Sequence, residues 1–268
     1  MTGTSAGRPG LAGATVIVTR PARQASHFIG ILERAGATTV AFPGIEIIPI
    51  ELAAADLTRL CPDAFDWAIY TSANAVEESL KVWPRQTARR SAAIGRATAR
   101  LLESRGIAAC QPDAGQSQDS EGLLQRTEFR TVRNQRILLL RGQGGREVLH
   151  EELTRLGATV EIAELYRRAP ARADVGAIAD LAMALQAPHK PWVTVTSVAV
   201  LDGLLGSVPG EFAGLLRESP LVVPGERVGT AAKERGWRGR LILAASAEDG
   251  AMFDAMVRAA SASLDEDA

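Results

Sequence analysis

The sequence predicts an α/β protein in which parallel sheets carry helices on both faces. Strand-length apolar runs alternate with stretches of helical apolar spacing along the chain. The clearest case is Arg136 to Arg168, where the apolar run 137–140 precedes a glycine-rich turn, a helix from Arg146 to Leu156 and a strand from Val160 to Tyr166. A continuously apolar strand is typical of a parallel sheet that is covered on both sides.

The second observation is an internal duplication. A strand from Thr15 to Arg20 and a helix from Pro21 to Arg34 repeat the same pattern near the N-terminus. Further motif pairs follow in one order: Thr71-Ser72 with Thr196-Ser197, Gly95 with Gly225, and Gly122 with Gly250. Arg20 and Arg141 are 121 positions apart, and so are Gly36 and Gly157. We interpret this as a twice-used α/β scaffold; the alternative is chance likeness between βαβ units.

The remaining elements follow from the same patterns. Prolines flank the apolar run from Phe42 to Ile50, which indicates an edge strand or an extended connector. Ser120 is the predicted N-cap of a helix from Leu123 to Glu128, after a polar loop. The other predicted helices are 73–83, 175–185, 198–205, 226–235 and 250–260, and the other predicted strands are 192–196 and 241–244.

Two domain arrangements fit the repeats. In one, the chain leaves a first domain (15–41 plus 171–260) through the connector 42–49, builds a second domain (50–159) and returns through the connector 160–170. In the other, two sequential domains divide near Arg133. The repeats alone leave both open. Residues 1–13 and 261–268 are expected to be disordered, because the first are small and polar and the last are acidic.

The composition is that of an ordinary soluble protein. Of 268 residues, 46% are hydrophobic and 23% are charged, and the net charge of −1 argues against a general nucleic-acid or membrane-surface binder. Cys61 and Cys110 have no metal-ligand spacing, so we expect free thiols. No apolar run has transmembrane length and no secretion signal is visible, which predicts a cytoplasmic location.

Candidate binding residues cluster at strand-to-helix turns. In parallel sheets ligands bind beyond the carboxyl ends of the strands, and free N–H groups at helix N-termini attract anions. These turns carry hydroxyls, arginines and glycines, so the predicted ligand carries several acidic groups. The turns are Arg20, Thr71-Ser72, Gly95 to Thr98, Arg141 to Arg146, Thr196-Ser197 and Gly225 to Arg227. The alternatives are helix capping for the serines and threonines, turn geometry for the glycines, and a solvated surface position for Arg20 and Arg141.

Taken together, the motifs resemble the uroporphyrinogen-III synthase family. They occur in family order over nearly all of Thr15 to Ala260. The motifs on which the resemblance depends are VTRP from Val18, YTSANAV from Tyr70, IGRATA from Ile94, DSEGLL from Asp119, RGQGGREVL from Arg141, LGATVEIAELYRR from Leu156, VTSVAVL from Val195 and PGERVGTAAKERGW from Pro224.

The resemblance implies two flavodoxin-like domains, each a doubly wound parallel sheet, joined by two extended connectors with the active site in a cleft between them. It thus favours the exit-and-return arrangement. It also implies the reaction of a hydro-lyase, a cyclising carbon–oxygen lyase of haem biosynthesis. Hydroxymethylbilane, a linear tetrapyrrole with eight carboxylates, loses water and closes to uroporphyrinogen III with inversion of ring D through a spirocyclic intermediate. No metal or organic cofactor is implied, and catalysis would be positional and electrostatic.

Residue roles carry over from the resemblance. Tyr166 matches the tyrosine proposed to protonate or hydrogen-bond the leaving hydroxyl. Ser72 and Ser197 match turns that contact substrate carboxylates through backbone amides, and Thr98 matches the threonine of a G-x-x-T turn. The full set of expected substrate-binding residues is Arg20, Thr71, Ser72, Thr98, Arg141, Gly142, Arg146, Ser197, Gly225 and Arg227.

Two positions depart from the family pattern. Val228 stands where the second G-x-x-T turn has threonine, so that Thr230 or Arg227 would have to substitute for it. Ser197 is followed by Val198 instead of proline. For partners we expect the small-molecule tetrapyrrole substrate, no nucleic acid and no membrane. We expect a monomer, to which hydroxymethylbilane synthase could hand over the substrate.

Two other function classes stay open. A non-catalytic two-domain protein could close on an anionic ligand, and lack of turnover with hydroxymethylbilane would support it. A sensory module of a regulator is the other class, and the absence of a DNA-binding extension or basic stripe in the sequence argues against it.

Overall fold

The computed structural model describes residues 10–266 apart from Gln86 and Ala114. The chain divides into two compact units. Unit 1 comprises Met1–Glu46 and Ala169–Ala268, and unit 2 comprises Ile47–Arg168. Each unit contains most of one sheet. The chain passes from one unit to the other at residues 46–47 and again at residues 168–169, both times within an extended strand.

The strands are short and the helices mostly follow them directly. The strands are β1 Thr15–Val18, β2 Thr38–Ala41, β3 Ile45–Pro49, β4 Trp67–Tyr70, β5 Arg90–Ala93, β6 Ala109–Cys110, β7 Arg136–Gly142, β8 Thr159–Pro170, β9 Trp192–Thr194, β10 Leu221–Val223 and β11 Leu241–Leu243. The helices are α1 Ala22–Arg34, α2 Ala54–Arg59, α3 Ala73–Val82, α4 Arg96–Ser104, α5 Ser120–Leu124, α6 Thr127–Arg130, α7 Val148–Arg155, α8 Val175–Gln186, α9 Val198–Ser207, α10 Ala213–Glu218, α11 Glu226–Glu234 and α12 Asp249–Glu266. A 3₁₀ turn lies at Pro62–Ala64.

The two sheets share one strand order. The sheet of unit 1 runs β2-β1-β9-β10-β11, and that of unit 2 runs β8-β7-β4-β5-β6 with β3 added outside β8. The strand pairs of both orders are parallel. Counting starts at the first strand of the βαβ unit that the repeat identifies, which is β1 in unit 1 and β7 in unit 2. Numbered in this way, each sheet has the doubly wound strand order 2-1-3-4-5. The predicted fold class, flavodoxin-like α/β with parallel sheets, is confirmed.

Alternation along β7 shows why its sequence is continuously apolar. Leu138 and Leu140 belong to the core cluster on one face of the sheet, and Ile137 and Leu139 belong to the cluster on the other face. Successive side chains of a strand point to opposite faces, so a strand covered by helices on both sides needs apolar residues at every position. In unit 1 the apolar stripe of α1, formed by Ala25, Phe28 and Leu32, is buried in the same way.

The connectors differ from the prediction in one respect. Residues 160–168 were expected to lie outside the second domain, but β8 pairs with β7 from Thr159 to Tyr166 and is an integral strand of the sheet of unit 2. Backbone hydrogen bonds along seven residue pairs account for this. β3 lies at the edge of that sheet, which agrees with the prolines that flank it.

The termini and one helix start also differ. Leu11 is buried and its N–H donates to Ala35 O at 2.8 Å, so the predicted disorder of residues 1–13 is wrong for 10–13, while 1–9 lie outside the described residues. α12 extends to Glu266, into the tail that was expected to be disordered; residues 267–268 are not described. The predicted helix 123–128 is two short helices, and Asp119 replaces Ser120 as the N-cap because its carboxylate accepts the Gly122 N–H at 3.0 Å.

Candidate active site

Most of the predicted site residues lie where each sheet reverses its winding direction, and Thr98, Gly225 and Arg227 follow the next strands, β5 and β10. In unit 2 this switch point lies between β7 and β4, which end at Gly142 and just before Thr71-Ser72. In unit 1 it lies between β1 and β9, which are followed by Arg20 and by Ser197. At such a point the connections leave two adjacent strands in opposite directions. A crevice therefore forms beyond the carboxyl ends of these strands, where ligands bind in open α/β sheets.

In unit 2, the Tyr166 hydroxyl has two polar neighbours. Its oxygen lies 2.9 Å from Ser72 Oγ and accepts a hydrogen bond from an Arg168 guanidinium nitrogen at 3.0 Å. Ser72 is the N-cap of α3, and its Oγ accepts the Ala75 N–H at 3.1 Å. The hydroxyl of the expected catalytic tyrosine is therefore held between a helix cap and an arginine.

Gly142 makes room for the tyrosine ring. A Cβ atom at position 142 would lie 2.6 Å from Tyr166 Cζ and 2.9 Å from its hydroxyl oxygen, distances that no side chain could occupy. The strand register between β7 and β8 shifts between Arg141 and Gly142, and Gln143 N–H donates to Tyr166 O at 2.7 Å. The glycine expected to bind substrate thus packs its backbone against the phenol.

Arg168 lies above the same ring. Its guanidinium carbon is 5.3 Å from the ring centroid of Tyr166, within the range of a cation–π contact. Tyr166 and Arg168 are two positions apart on β8, so their side chains share a face of the strand. Arg168 is exposed, whereas Tyr166 has 0% exposure.

A cavity of about 260 Å³ lies next to this group in unit 2. Arg141, Arg146 and Arg168 contribute cationic side chains to its lining, and Thr71 and Ser120 contribute hydroxyls. The other lining residues are Ile94, Leu139, Gly144, Gly145 and Leu149. The volume suits a carboxylate-bearing side chain of a ligand better than a whole macrocycle.

Arg141 is buried and already paired. Its guanidinium donates to Glu147 Oε1 at 2.7 Å and to Glu164 Oε1 at 3.2 Å, and also to Gly145 O at 3.3 Å. The hydrogen bond from Arg141 lowers the pKa of Glu147. The Arg141 Nε–H is buried without an acceptor. Arg141 therefore shapes the glycine-rich turn, and its expected contact with substrate stays a prediction.

Arg146 is paired as well. Two of its nitrogens donate to the two carboxylate oxygens of Glu121, each at 2.8 Å, in a bidentate arrangement. The hydrogen bond with Glu121 raises the pKa of Arg146. This contact ties the turn after β7 to the start of α5. Two of the three arginines that line the cavity are thus neutralised by carboxylates of the same unit.

In unit 1 the repeat-equivalent Arg20 shows the same pattern. Arg20 is buried, pairs with Asp249, and donates to Ala247 O at 2.8 Å. Burial lowers the pKa of Arg20, and the charge of Asp249 opposes this shift. Asp249 Oδ2 also lies 2.5 Å from His27 Nδ1. Like Arg141, Arg20 has a buried Nε without an acceptor.

The other expected residues occupy helix starts. Ser197 caps α9 by accepting the Val200 N–H at 3.2 Å, so Val198 in place of proline leaves the turn intact. Gly225 starts α11 with φ +97, a backbone conformation that favours glycine. Val228 is buried in the core, whereas Arg227 and Thr230 are exposed.

Two more hydroxyl residues complete the expected set. Thr98 lies in the first turn of α4 and is 5% exposed. Thr71 donates its hydroxyl to Leu140 O at 3.3 Å, which ties the end of β4 to β7. Neither residue has a recorded hydrogen bond to Tyr166, and substrate binding by both stays a prediction.

Sequence reasoning missed Arg168, Glu147 and Glu164. The signal for Arg168 was present, because it follows Tyr166 by two positions in a predicted strand. The two glutamates carried no such signal. Glu147 lies at the start of α7 and Glu164 on the neighbouring strand β8, so the folded turn and the strand pairing bring their carboxylates to Arg141. Within the described part of the chain, no group of histidine, cysteine and acidic residues could hold a metal ion, and no helix is long and apolar enough to cross a membrane.

Known sequences of one family match this chain over nearly its whole length. A family model described as uroporphyrinogen-III synthase HemD matches residues 26–254. The uroporphyrinogen-III synthase of Escherichia coli strain K12 is 31% identical over 255 residues, which cover 91% of this chain and 99% of that protein. The enzyme of the same name from Salmonella typhimurium strain LT2 is 32% identical over 256 residues, with the same coverage.

Solved structures show the same fold. A mutant uroporphyrinogen III synthase from the extremely thermophilic bacterium Thermus thermophilus matches with a TM-score of 0.58 at 18% identity, covering 93% of this chain and 99% of that one. The uroporphyrinogen-III synthetase of Helicobacter pylori 26695 matches with a TM-score of 0.59 at 15% identity, covering 91% and 99%. With the family model matched over most of the chain, the conclusion is direct: this protein belongs to the uroporphyrinogen-III synthase family.

Proposed function

We propose that this chain closes hydroxymethylbilane to uroporphyrinogen III, with loss of water and inversion of ring D, and that Tyr166 assists the departing hydroxyl. Membership of the family confirms the predicted enzyme, a cyclising lyase of haem biosynthesis that acts on a tetrapyrrole. The roles of individual residues are our own inference from the geometry of unit 2.

The observation that carries the proposal is the pair of polar groups that contact the Tyr166 oxygen. Arg168 donates to that oxygen at 3.0 Å, and Ser72 Oγ lies 2.9 Å away. A phenol that gives up its proton leaves a negative oxygen, which the neighbouring hydroxyl of Ser72 can stabilise by hydrogen bonding. The arrangement suits a tyrosine that acts as a general acid.

The chemistry then balances without another reagent. Tyr166 supplies a proton to the terminal hydroxyl, the carbon–oxygen bond breaks, and water leaves. The pyrrole nitrogen feeds its electron pair to the vacated methylene carbon, which ring D attacks to form the spirocyclic intermediate. After rearrangement, the ring carbon that forms the last bond loses a proton, and this proton can return to the Tyr166 oxygen.

Substrate binding is proposed for the turns at both switch points and for the turns after β5 and β10. The eight carboxylates call for many donors, and helix N-termini supply backbone N–H groups with a favourable dipole. Arg227 adds an exposed cation that has no ion pair in the described part of the chain. We assign binding to Arg20, Thr71, Ser72, Thr98, Arg141, Gly142, Arg146, Ser197, Gly225 and Arg227.

The test is Tyr166→Phe with Tyr70→Phe as a matched control. Both tyrosines are buried in unit 2, and Tyr70 also has a serine partner, Ser79. Loss of a general acid should lower turnover of hydroxymethylbilane by roughly 10²-fold or more. Tyr70→Phe should keep most of the activity. Separation of type III from type I product gives the readout, and full turnover by Tyr166→Phe would remove that residue from the mechanism.

The cellular setting is part of the same proposal. We infer a cytoplasmic monomer that takes its substrate from hydroxymethylbilane synthase. Free cysteines and a net charge of −1 support this setting. Sedimentation of the purified protein, alone and with that synthase, would test the monomer and the hand-over separately.

A further inference from the structure

We propose that Arg168 is a further substrate-binding residue, whose guanidinium exchanges the Tyr166 hydroxyl for a substrate carboxylate in the neighbouring cavity and so uncovers the hydroxyl. This inference rests on the proposed function of Tyr166. It concerns the order of events at that site: the acid becomes accessible only when an anionic group of the substrate is in place.

The first observation is that Tyr166 is inaccessible. The whole residue has 0% exposure, so a substrate hydroxyl cannot reach the phenol oxygen in the arrangement described. Three neighbours surround that oxygen: Ser72, the backbone at Gly142 and Arg168. Ser72 is held by its cap hydrogen bond to Ala75, and Gly142 is part of β7. Of these neighbours, Arg168 alone combines an exposed, flexible side chain with a position over the ring.

The second observation is charge. Three arginines line the cavity, and Arg141 and Arg146 are paired with glutamates. Arg168 has no carboxylate partner among the described residues, and its recorded contacts are with the phenol oxygen and ring of Tyr166. A neutral phenol oxygen is a weaker acceptor for a guanidinium than a carboxylate, because the carboxylate adds an opposite charge and can accept two parallel hydrogen bonds.

The third observation is an unmet donor in the lining of the same cavity. Arg141 is 7% exposed, and its Nε–H is buried without an acceptor. Buried polar groups normally have partners, and one that lacks them is a place where a missing acceptor can bind. A carboxylate in the cavity would lie beside the guanidinium of Arg141 and would also attract the unpaired charge of Arg168.

These observations define one movement. When a substrate carboxylate enters the cavity, Arg168 turns from the phenol to the carboxylate. The Tyr166 hydroxyl then keeps Ser72 as its partner and faces the substrate hydroxyl. An acid that stays covered until an acidic side chain of the substrate is bound cannot react with solvent in the meantime.

Chemical labelling tests this without turnover. N-acetylimidazole acetylates accessible tyrosine hydroxyls, and mass spectrometry separates the peptide of Tyr166 from that of Tyr70, which is buried and serves as the internal reference. In the wild type, Tyr166 should label slowly, and succinate should speed its labelling relative to chloride at the same ionic strength. In Arg168→Ala, Tyr166 should label fast, with no response to succinate.

Arg167→Ala is the matched control. Arg167 is an exposed arginine one position away, so its side chain points to the opposite face of β8. This variant should behave as the wild type does. Equal labelling of Tyr166 in the wild type and in Arg168→Ala would overturn the covering role, and a wild type that does not respond to succinate would overturn the exchange.

Kinetics separate this inference from the function of Tyr166. Arg168→Ala should raise KM about tenfold, through loss of one charged contact, with a smaller change in kcat. Arg168→Lys keeps the charge, so its KM should lie between those of the wild type and Arg168→Ala. An unchanged KM in Arg168→Ala would contradict the proposal. If Tyr166→Phe were fully active, the proposed mechanism would fail, while the labelling result would still decide whether Arg168 covers the hydroxyl.

Discussion

The hydroxyl oxygens of Ser72 and Tyr166 lie 2.9 Å apart although 94 positions separate them in the chain. Ser72 caps α3 and Tyr166 lies on β8, so this hydrogen bond joins the end of β4 to the second strand of the βαβ unit. The repeat supplies a natural comparison. Ser197 caps α9 in the same way, with no recorded contact to a tyrosine among the described residues.

The duplicated serines lead to the first prediction. Ser72→Ala and Ser197→Ala should each lower the free energy of unfolding by about 1 kcal/mol, because each removes a helix N-cap. Ser72→Ala should in addition lower kcat roughly tenfold, since the Tyr166 oxygen loses a partner that stabilises its charged form. Denaturant unfolding and turnover of hydroxymethylbilane measure the two effects. If Ser197→Ala lost as much kcat as Ser72→Ala, the contact with Tyr166 would have no special role.

Gly142 gives the second prediction. Gly142→Ala would place a Cβ atom 2.6 Å from Tyr166 Cζ, so the phenol must shift. We expect a loss of about 1–3 kcal/mol in the free energy of unfolding, together with a fall in kcat as large as that of Tyr166→Phe. Gly206→Ala is the control, because nothing lies within 4 Å of the added Cβ at that position in α9. Full activity of Gly142→Ala would show that the exact position of the ring is unimportant.

The sequence was a good guide to the fold because the repeat constrained it. Shared offsets identified the βαβ units, and both sheets have the strand order that these offsets indicate. Short elements without a repeat partner or a clear apolar period were missed, including the helices α2 and α10. The cap of α5 was misplaced by one residue, since Asp119 and Ser120 both carry an oxygen suited to capping and only the backbone geometry distinguishes them.

The site was predictable only in part. Strand ends and switch points follow from the order of elements, so the positions of Ser72, Arg141 and Ser197 could be deduced from sequence. Whether each arginine is paired with a carboxylate could not be deduced, because folding decides which carboxylates lie close to it. Arg20 and Arg141 looked like free anion-binding groups, yet both are buried and paired. Any role in substrate binding must therefore compete with their own carboxylate partners.

The pairing of Arg141 gives a prediction about pH. Its hydrogen bond lowers the pKa of Glu147 below the ordinary value of 4.5, and desolvation of the carboxylate opposes that shift. A carboxyl with a lowered pKa in the folded state adds stability above its unfolded pKa, and this stability is lost as the pH falls through the folded pKa. Glu147→Gln should therefore have a lower Tm than the wild type at pH 7, and this difference in Tm should be smaller at an acid pH below 4.5.

Glu151→Gln is the control for this measurement. Glu151 lies on the same helix, α7, and makes no ion pair among the described residues. Its replacement should leave the Tm close to that of the wild type at both pH values. If the difference in Tm between the wild type and Glu147→Gln stayed the same from neutral to acid pH, the ion pair with Arg141 would contribute nothing to stability.

The repeated glycines at the starts of α4 and α11 allow the last prediction. Gly225 has φ +97 and Gly95 has φ −154, although both are N-caps at equivalent places in the two units. An alanine loses the same capping preference at either site, but only at position 225 must it adopt a conformation that costs about 1–3 kcal/mol. No atom lies within 4 Å of a Cβ added at Gly225, so crowding does not contribute. Denaturant unfolding of Gly225→Ala and Gly95→Ala should differ by that amount, and equal losses would mean that the turn at Gly225 relaxes to an ordinary backbone conformation when the side chain is added.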